Sequence, residues 1–318
     1  MPGWRANRGI MWEIFLKTLP FFAVIGLGYG AGKTRFFTEE ATAYLTKFVF
    51  YFALSAMIFQ FTATLQIADV LDWTFVLAYL AATTVVYLIA AFVARLRGLS
   101  LAEGAFEAQC AVIGNVGFLG IRMLALLLGE AAVAPIILIL SVDLIVFGSL
   151  VVILVTASGG KLSLATLGTI VTGLVKNPMI VSIVLGFAWS GFRLPMPDVG
   201  REFLTLLGAA ATPGALFAIG ASLASKSAER ASVALWLSFA KLILHPAAVA
   251  VSALVIFPVE PFAAGVMIAA AALPVAGNVF ILAQHYKVAP QRVSAAILFS
   301  TAISVVTVAA AIAWIETL

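Results

Sequence analysis

Apolar runs of about 20 residues, each long enough to cross a bilayer as a helix, recur along the whole of this chain. Lipid offers no partner to backbone N–H and C=O groups. Only helices and closed barrels therefore span it, and the runs are continuous rather than alternating, which excludes a barrel. Hydrophobic residues make up 64% of the 318 positions and charged ones 10%, far outside the balance of a water-soluble domain. The sequence is that of an all-α membrane protein with many passes. A net charge of +4 could suit a nucleic-acid partner, but the basic residues are scattered over short connections and read as a topology signal instead, with no nucleic acid expected.

Hydropathy predicts about ten transmembrane helices, at 11–32, 41–63, 73–95, 103–128, 131–156, 166–190, 200–224, 232–257, 261–286 and 292–316. The apolar run after Arg5 and Arg8 contains Lys17 and Pro20 and no small-residue cleavage site, so it is expected to remain as the first helix. Lys33, Arg35, Arg95, Arg97, Lys161, Lys226, Arg230, Lys287 and Arg292 fall on alternate connections, whereas Asp69, Asp72 and Glu260 fall on the others. The positive-inside rule makes the first set cytoplasmic and puts both termini outside, in a plasma or bacterial inner membrane; Arg5, Arg8, Arg193 and Arg201 run against this orientation.

Two of the apolar runs are interrupted alike. GNV occurs at Gly114–Val116 in the fourth span and again at Gly277–Val279 in the ninth. The matched positions imply two copies of a five-span unit, residues 1–160 and 161–318. A unit with an odd number of spans enters the membrane from opposite sides in its two copies, so the expected architecture is a 5+5 inverted repeat with alternating access. A helix broken at mid-membrane is tolerated where the freed backbone is buried in protein or lines a cavity. Pro274 removes a backbone donor, Gly277 adds freedom, and the half-helix that follows points N–H groups inward. Gly114, Asn115, Gly117, Pro274, Gly277 and Asn278 are therefore the candidate substrate-binding residues, grouped where the broken fourth and ninth helices cross. Close helix packing through small residues is the alternative for either stretch alone.

Asp143 falls in the middle of the fifth span, where an acid costs about 2.5–3.5 kcal/mol on insertion scales. It is a candidate proton carrier, or a structural partner of Arg122, of Ser141 or of a neighbouring Thr. Arg122 would set a fixed cation near the crossing and belongs with the substrate-binding candidates. His245 is a candidate for proton coupling, against a helix-end hydrogen bond. Lys17, Lys47, Lys176 and Lys241 are expected to snorkel from span ends, and Glu107 to reach the interface. Cys110 stands alone, so neither a disulfide framework nor a cysteine zinc site is expected. GLGYGAG at Gly26–Gly32 imitates a dinucleotide loop but has no strand before it; small-residue packing is the expectation, with no cofactor and no metal.

The stretch from Ala272 to Ser304 resembles the ninth and tenth spans of the auxin efflux carrier family. Ala272, Leu273, Pro274, Ala283, Tyr286, Pro290, Ser294, Thr301 and Ser304 fit its pattern. KNPMIVSIVLG from Lys176 to Gly186 resembles the start of that family's sixth span, Lys241 and Pro246 its eighth, and GNVGFLG its fourth. The resemblance implies an elevator-like secondary transporter of organic anions, related to the inverted-repeat bile-acid symporters, with helices 1, 2, 6 and 7 as scaffold and 3–5 and 8–10 as the moving domain. Only a short connection near Ser158–Ala165 joins spans five and six, so the chain resembles the bacterial branch, whose substrates include malonate-like dicarboxylates, and auxin itself is not expected. Arg122 departs from the family pattern, which expects an apolar residue or Pro there. Proton or potential coupling is expected. A sodium-coupled symporter is the alternative within transport, against which LPVAGN offers no acid; a membrane sensor or intramembrane enzyme is the alternative outside it. Lipid and a second copy of the chain are the remaining expected partners.

Overall fold

Side chains at the connections mark where several of the helices start. The computed structural model describes residues 16, 19–20, 22–64, 71–158, 172, 175–224 and 231–315, without the side chains of Phe118, Arg122 and Leu126. Among them α1 covers residues 22–33. It is followed by α2 (Glu39–Thr64), α3 (Trp73–Leu96), α4 (Leu101–Val112), α5 (Ile121–Leu128), α6 (Glu130–Ala157), α7 (Pro178–Gly191), α8 (Asp198–Ala224), α9 (Ala231–Ile256), α10 (Pro261–Ala271), α11 (Gly277–Tyr286) and α12 (Pro290–Ile315). Asp72 accepts the N–H groups of Thr74 and Phe75 at 2.8 and 3.1 Å at the head of α3. Ser100 and Glu103 form a reciprocal capping box on α4. Asn177 and Glu260 cap α7 and α10, each ahead of a Pro that suits the first helical turn.

Six of these helices, α2, α3, α6, α8, α9 and α12, are long and apolar enough to cross a membrane. The protein is thus of the helical multi-pass membrane class. Their ends fall within a few residues of the predicted spans. The predicted fourth and ninth spans are instead divided into α4 and α5, and into α10 and α11. The boundary expected between the two halves lies in residues 159–171, and Lys17, Lys161, Lys226 and Arg230 also lie outside the described residues.

Glycines bring α1, α2, α7 and α8 into contact. Gly28 of α1 faces the carbonyl of Phe217 in α8, Gly220 of α8 faces that of Ile25, and Gly186 of α7 faces the Thr62 hydroxyl of α2. A Cβ on any of them would overlap its neighbour, so these backbones approach as only small residues allow. Gly28 and Gly32 thus pack as the GLGYGAG stretch predicts, while Gly26 and Gly30 face open space.

Polar contacts link the other helices. Ser252 of α9 donates to the Ala78 carbonyl of α3 at 2.8 Å, and Gln109 of α4 donates to the Phe147 carbonyl of α6 at 3.0 Å. In the middle of α4, Glu107 does not reach an interface as expected. Its side chain is 2% exposed and accepts from Arg97 at 2.7 Å and from Arg292 of α12 at 3.0 Å. A buried carboxylate needs such partners, and two guanidinium groups supply them.

Candidate functional site

The two interruptions meet. The N–H of Asn115 donates to the Pro274 carbonyl at 2.8 Å, and the N–H of Ala276 donates to the Ile113 carbonyl at 3.1 Å. They frame an antiparallel bridge between Gly114 and Val275. Each break thereby satisfies backbone groups freed by the other, the condition for irregular backbone at membrane depth. The Val275 N–H goes to Ser300 Oγ of α12 at 3.1 Å. Pro274, which has no N–H, fits this accounting because only its carbonyl is used.

Beyond the bridge both chains become helical again without a cap. Ala276 precedes α11 and offers no side chain to its first N–H groups; Asn115 precedes a π-helical turn at Val116–Gly120 and makes no capping bond. Two uncapped helix N-termini, each with N–H groups lacking intrahelical partners and a partial positive charge, therefore converge on the crossing.

A buried ammonium stands against it. A Cβ on Gly114 would lie 3.2 Å from the Ala270 carbonyl and 3.3 Å from Lys241 Nζ, so glycine makes room for the lysine head. Lys241 does not snorkel from a span end: it is 0% exposed, near the middle of α9, in a π-helical turn at Ala240–Leu244. Its Nζ donates to the Ala271 carbonyl at the end of α10, where orphan carbonyls favour a cation. It also lies 3.2 Å from His245 Nδ1. The other ring nitrogen, Nε2, lies 3.1 Å from Thr83 Oγ1, so the imidazole bridges Lys241 and Thr83. His245 is therefore a fully buried link between α9 and α3 rather than a helix-end residue.

Asp143 opens another π-helical turn, Asp143–Phe147 in α6, and is 4% exposed. Its Oδ1 accepts from the Tyr79 hydroxyl at 2.9 Å, and Lys241 lies within electrostatic reach. Ser141, a partner considered for it, donates instead to the Ile137 carbonyl at 2.8 Å. The π turns at Val116, Asp143 and Lys241 each add a residue to a helical turn and re-aim a side chain, a common device at functional sites.

Gln109, Asn115, Asp143 and Asn278 line one small cavity of about 30 Å³, together with apolar side chains including Met57, Phe61 and Met179. It has room for about two water molecules. A second cavity of about 620 Å³ lies among α1, α2 and α8, bordered by Val24, Gln60, Thr205 and Pro213. Met57, Phe61 and Gly117 border both, so the two side chains form the partition between a vestibule and the crossing.

Of the candidate residues, Gly114, Asn115, Gly117 and Asn278 line the small cavity together with Asp143; Pro274 and Gly277 belong to the crossing backbone; His245 lies behind it, bonded to Lys241. The side chain of Arg122, and with it the Arg122–Asp143 pair, lies outside the described residues. Sequence reasoning set Lys241 at a span end and passed over Gln109, Tyr79 and Thr83. Their signal was spacing: Lys241 with His245, and Tyr79 with Thr83, are polar pairs four residues apart in apolar helices, which puts each pair on one face.

A family model described as "Membrane transport protein" matches residues 13–312. The "Putative malonate transporter" of Rhizobium meliloti (strain 1021) is 32% identical over 305 residues, which cover 94% of each chain.

Proposed function

The chain belongs to this membrane transport family, the auxin efflux carriers of the resemblance, and is a transporter rather than an enzyme; from that premise we propose that it carries small organic anions, malonate-like dicarboxylates among them, through the crossing of its two broken helices. The observation that carries the reading is the convergence of two uncapped helix N-termini on one cavity, with the Lys241 ammonium packed behind its Gly114 wall. Helix N-termini favour an anion by about 0.3–1 kcal/mol each when exposed and up to about 2 when partly buried. A neighbouring ammonium adds a charge-assisted bond to a carboxylate. The relative's name agrees with a three-carbon dicarboxylate as substrate.

The packing supports an elevator-like transport cycle. Read with ten spans and two inverted halves, α4–α5 and α10–α11 are the broken fourth and ninth spans. The glycine-locked α1, α2, α7 and α8 serve as scaffold, and the helices linked through Asp143, Lys241 and Glu107 carry the site past them. The vestibule lies towards the ends marked by Pro20, Thr64 and Thr205, the side with few basic residues. Entry of substrate requires Met57 and Phe61 to turn aside, since a cavity of about 30 Å³ does not hold a dicarboxylate.

The test is counterflow of radiolabelled malonate in liposomes containing the purified protein. Accumulation above that in empty liposomes is expected, reduced by Asn115→Ala, Asn278→Ala and Lys241→Met. If no short mono- or dicarboxylate accumulates, the reading is wrong.

A further inference from the structure

Four buried oxygen atoms belong to residues of the small cavity at the crossing, and none has a donor: Gln109 Oε1, Asn115 Oδ1, Asp143 Oδ2 and Asn278 Oδ1. The remaining atoms of this kind among the described residues, such as Trp189 Nε1 and Trp236 Nε1, belong to residues that do not line it. Two of the four are fixed in role by their other bonds. Gln109 Nε2 donates to the Phe147 carbonyl at 3.0 Å, which only the amide nitrogen can do. Tyr79 donates to Asp143 Oδ1 at 2.9 Å, which leaves Oδ2 to the cavity.

An anion made only of acceptors can be met by the amide nitrogens of Asn115 and Asn278 but leaves Gln109 Oε1 and Asp143 Oδ2 unpaired, and a dianion in addition meets the Asp143 carboxylate. A buried acceptor without a donor is unfavourable, so the ligand that fits brings hydrogen. The same crossing offers donors for a carboxylate: the first N–H groups of α11 and of the helical turn after Asn115, with the Lys241 ammonium behind Gly114. We infer that the site takes a short carboxylate that carries one hydrogen-bond donor at its other end, received by Asp143 and Gln109. Such a molecule is the half-protonated form of a dicarboxylic acid, or its monoamide. The inference rests on the anion-transport reading above and specifies which ionisation form of the substrate that site accepts.

Malonamate and acetoacetate separate the cases. Both are monoanions of nearly equal size in which one CH2 joins a carboxylate to a carbonyl; the first ends in NH2 where the second ends in CH3. Thermal stabilisation of the purified protein by each, with malonate beside them, gives three apparent affinities. Malonamate is expected to bind about tenfold or more tightly than acetoacetate, as a site built to bond a donor rejects the analogue that lacks it. Asp143→Asn keeps a carbonyl oxygen for Tyr79 and turns an amide N–H into the cavity, so the malonamate advantage should shrink several-fold. Should that variant fail to fold, Gln109→Met, which keeps length and removes one acceptor, carries the same expectation. Equal binding of the two ligands, or binding of malonate with neither analogue, overturns the inference and leaves the transport reading standing. Binding of none of the three overturns both.

Discussion

The backbone N–H of Asn115 donates to the carbonyl of Pro274 across 2.8 Å, joining helices whose sequences lie far apart in the chain. Because this bond and its companion from Ala276 to Ile113 use main-chain atoms, the crossing does not depend on the Asn115 side chain. Asn115→Ala and Asn278→Ala are therefore expected to unfold at nearly the parent temperature. Each should lower malonate affinity about tenfold, the value of a buried hydrogen bond to a charged ligand. Titrating thermal stabilisation with malonate reads both quantities. Parent-like affinity in both variants would remove the crossing from the binding site.

Glycine at 114 serves a different end. Its missing Cβ leaves the Lys241 head 3.3 Å from where that atom would stand, with the Ala270 carbonyl at 3.2 Å on another side. Gly114→Ala should cost about 1–3 kcal/mol by overpacking and displace the ammonium from the site. Gly28→Ala, set against the Phe217 carbonyl, should be at least as harmful to stability. Gly30→Ala, in the same GLGYGAG stretch but facing open space, should change stability by less than about 0.5 kcal/mol. Unfolding midpoints of the three variants in one detergent decide this. Equal loss at Gly28 and Gly30 would contradict the packing.

Much of this was legible in the sequence because the bilayer makes polar residues conspicuous. Asn115, Asn278 and Asp143 stand out in apolar runs, and all three line the cavity. Lys241 was misread because its position was judged by hydropathy, which treats a long cationic side chain as a helix-end feature. In the 26-residue α9 it falls near the centre, too deep for its amine to reach an interface, and it needs the Ala271 carbonyl and His245 instead. Glu107 was misread because its partners lie outside its own helix, Arg97 on the connection before it and Arg292 far along the chain, and only folding joins them. Where the helices break was legible from Pro274 and the two GNV stretches. That the breaks pair as a bridge was not, since backbone bonds carry no residue signature.

Glu107 offers a stability effect separable from binding. Its carboxylate receives Arg97 at 2.7 Å and Arg292 at 3.0 Å in the middle of α4, and it does not itself line the crossing. Glu107→Gln removes the charge and leaves two guanidinium groups competing for one amide oxygen. A loss of about 1–3 kcal/mol is expected, as for a buried charged hydrogen bond. Malonate affinity of the folded fraction should match the parent. A large change in affinity with an unchanged unfolding midpoint would mean that Glu107 acts on the site rather than on the fold.

Lys241 and Asp143 should prove energetically coupled. They project from α9 and α6 into one buried region, each holding a separate neutral partner, Ala271 and Tyr79, while acting on each other electrostatically. Removing one of two buried opposite charges leaves the other uncompensated and typically costs about 3–5 kcal/mol, whereas removing both spares that penalty. Lys241→Met and Asp143→Asn are each expected to lower stability by an amount in this range. The double variant should then be more stable than the sum of the single losses predicts by about 0.5–3 kcal/mol, the usual size of a coupling between neighbouring groups. Transport answers differently from stability. The double variant regains neutrality but lacks both the ammonium for the carboxylate and the acceptor beside Gln109, so malonate counterflow should stay near that of empty liposomes. Additive stability losses would show that the two charges do not sense each other. Recovery of counterflow in the double variant would show that their role is structural and that anion binding rests on the helix N-termini alone.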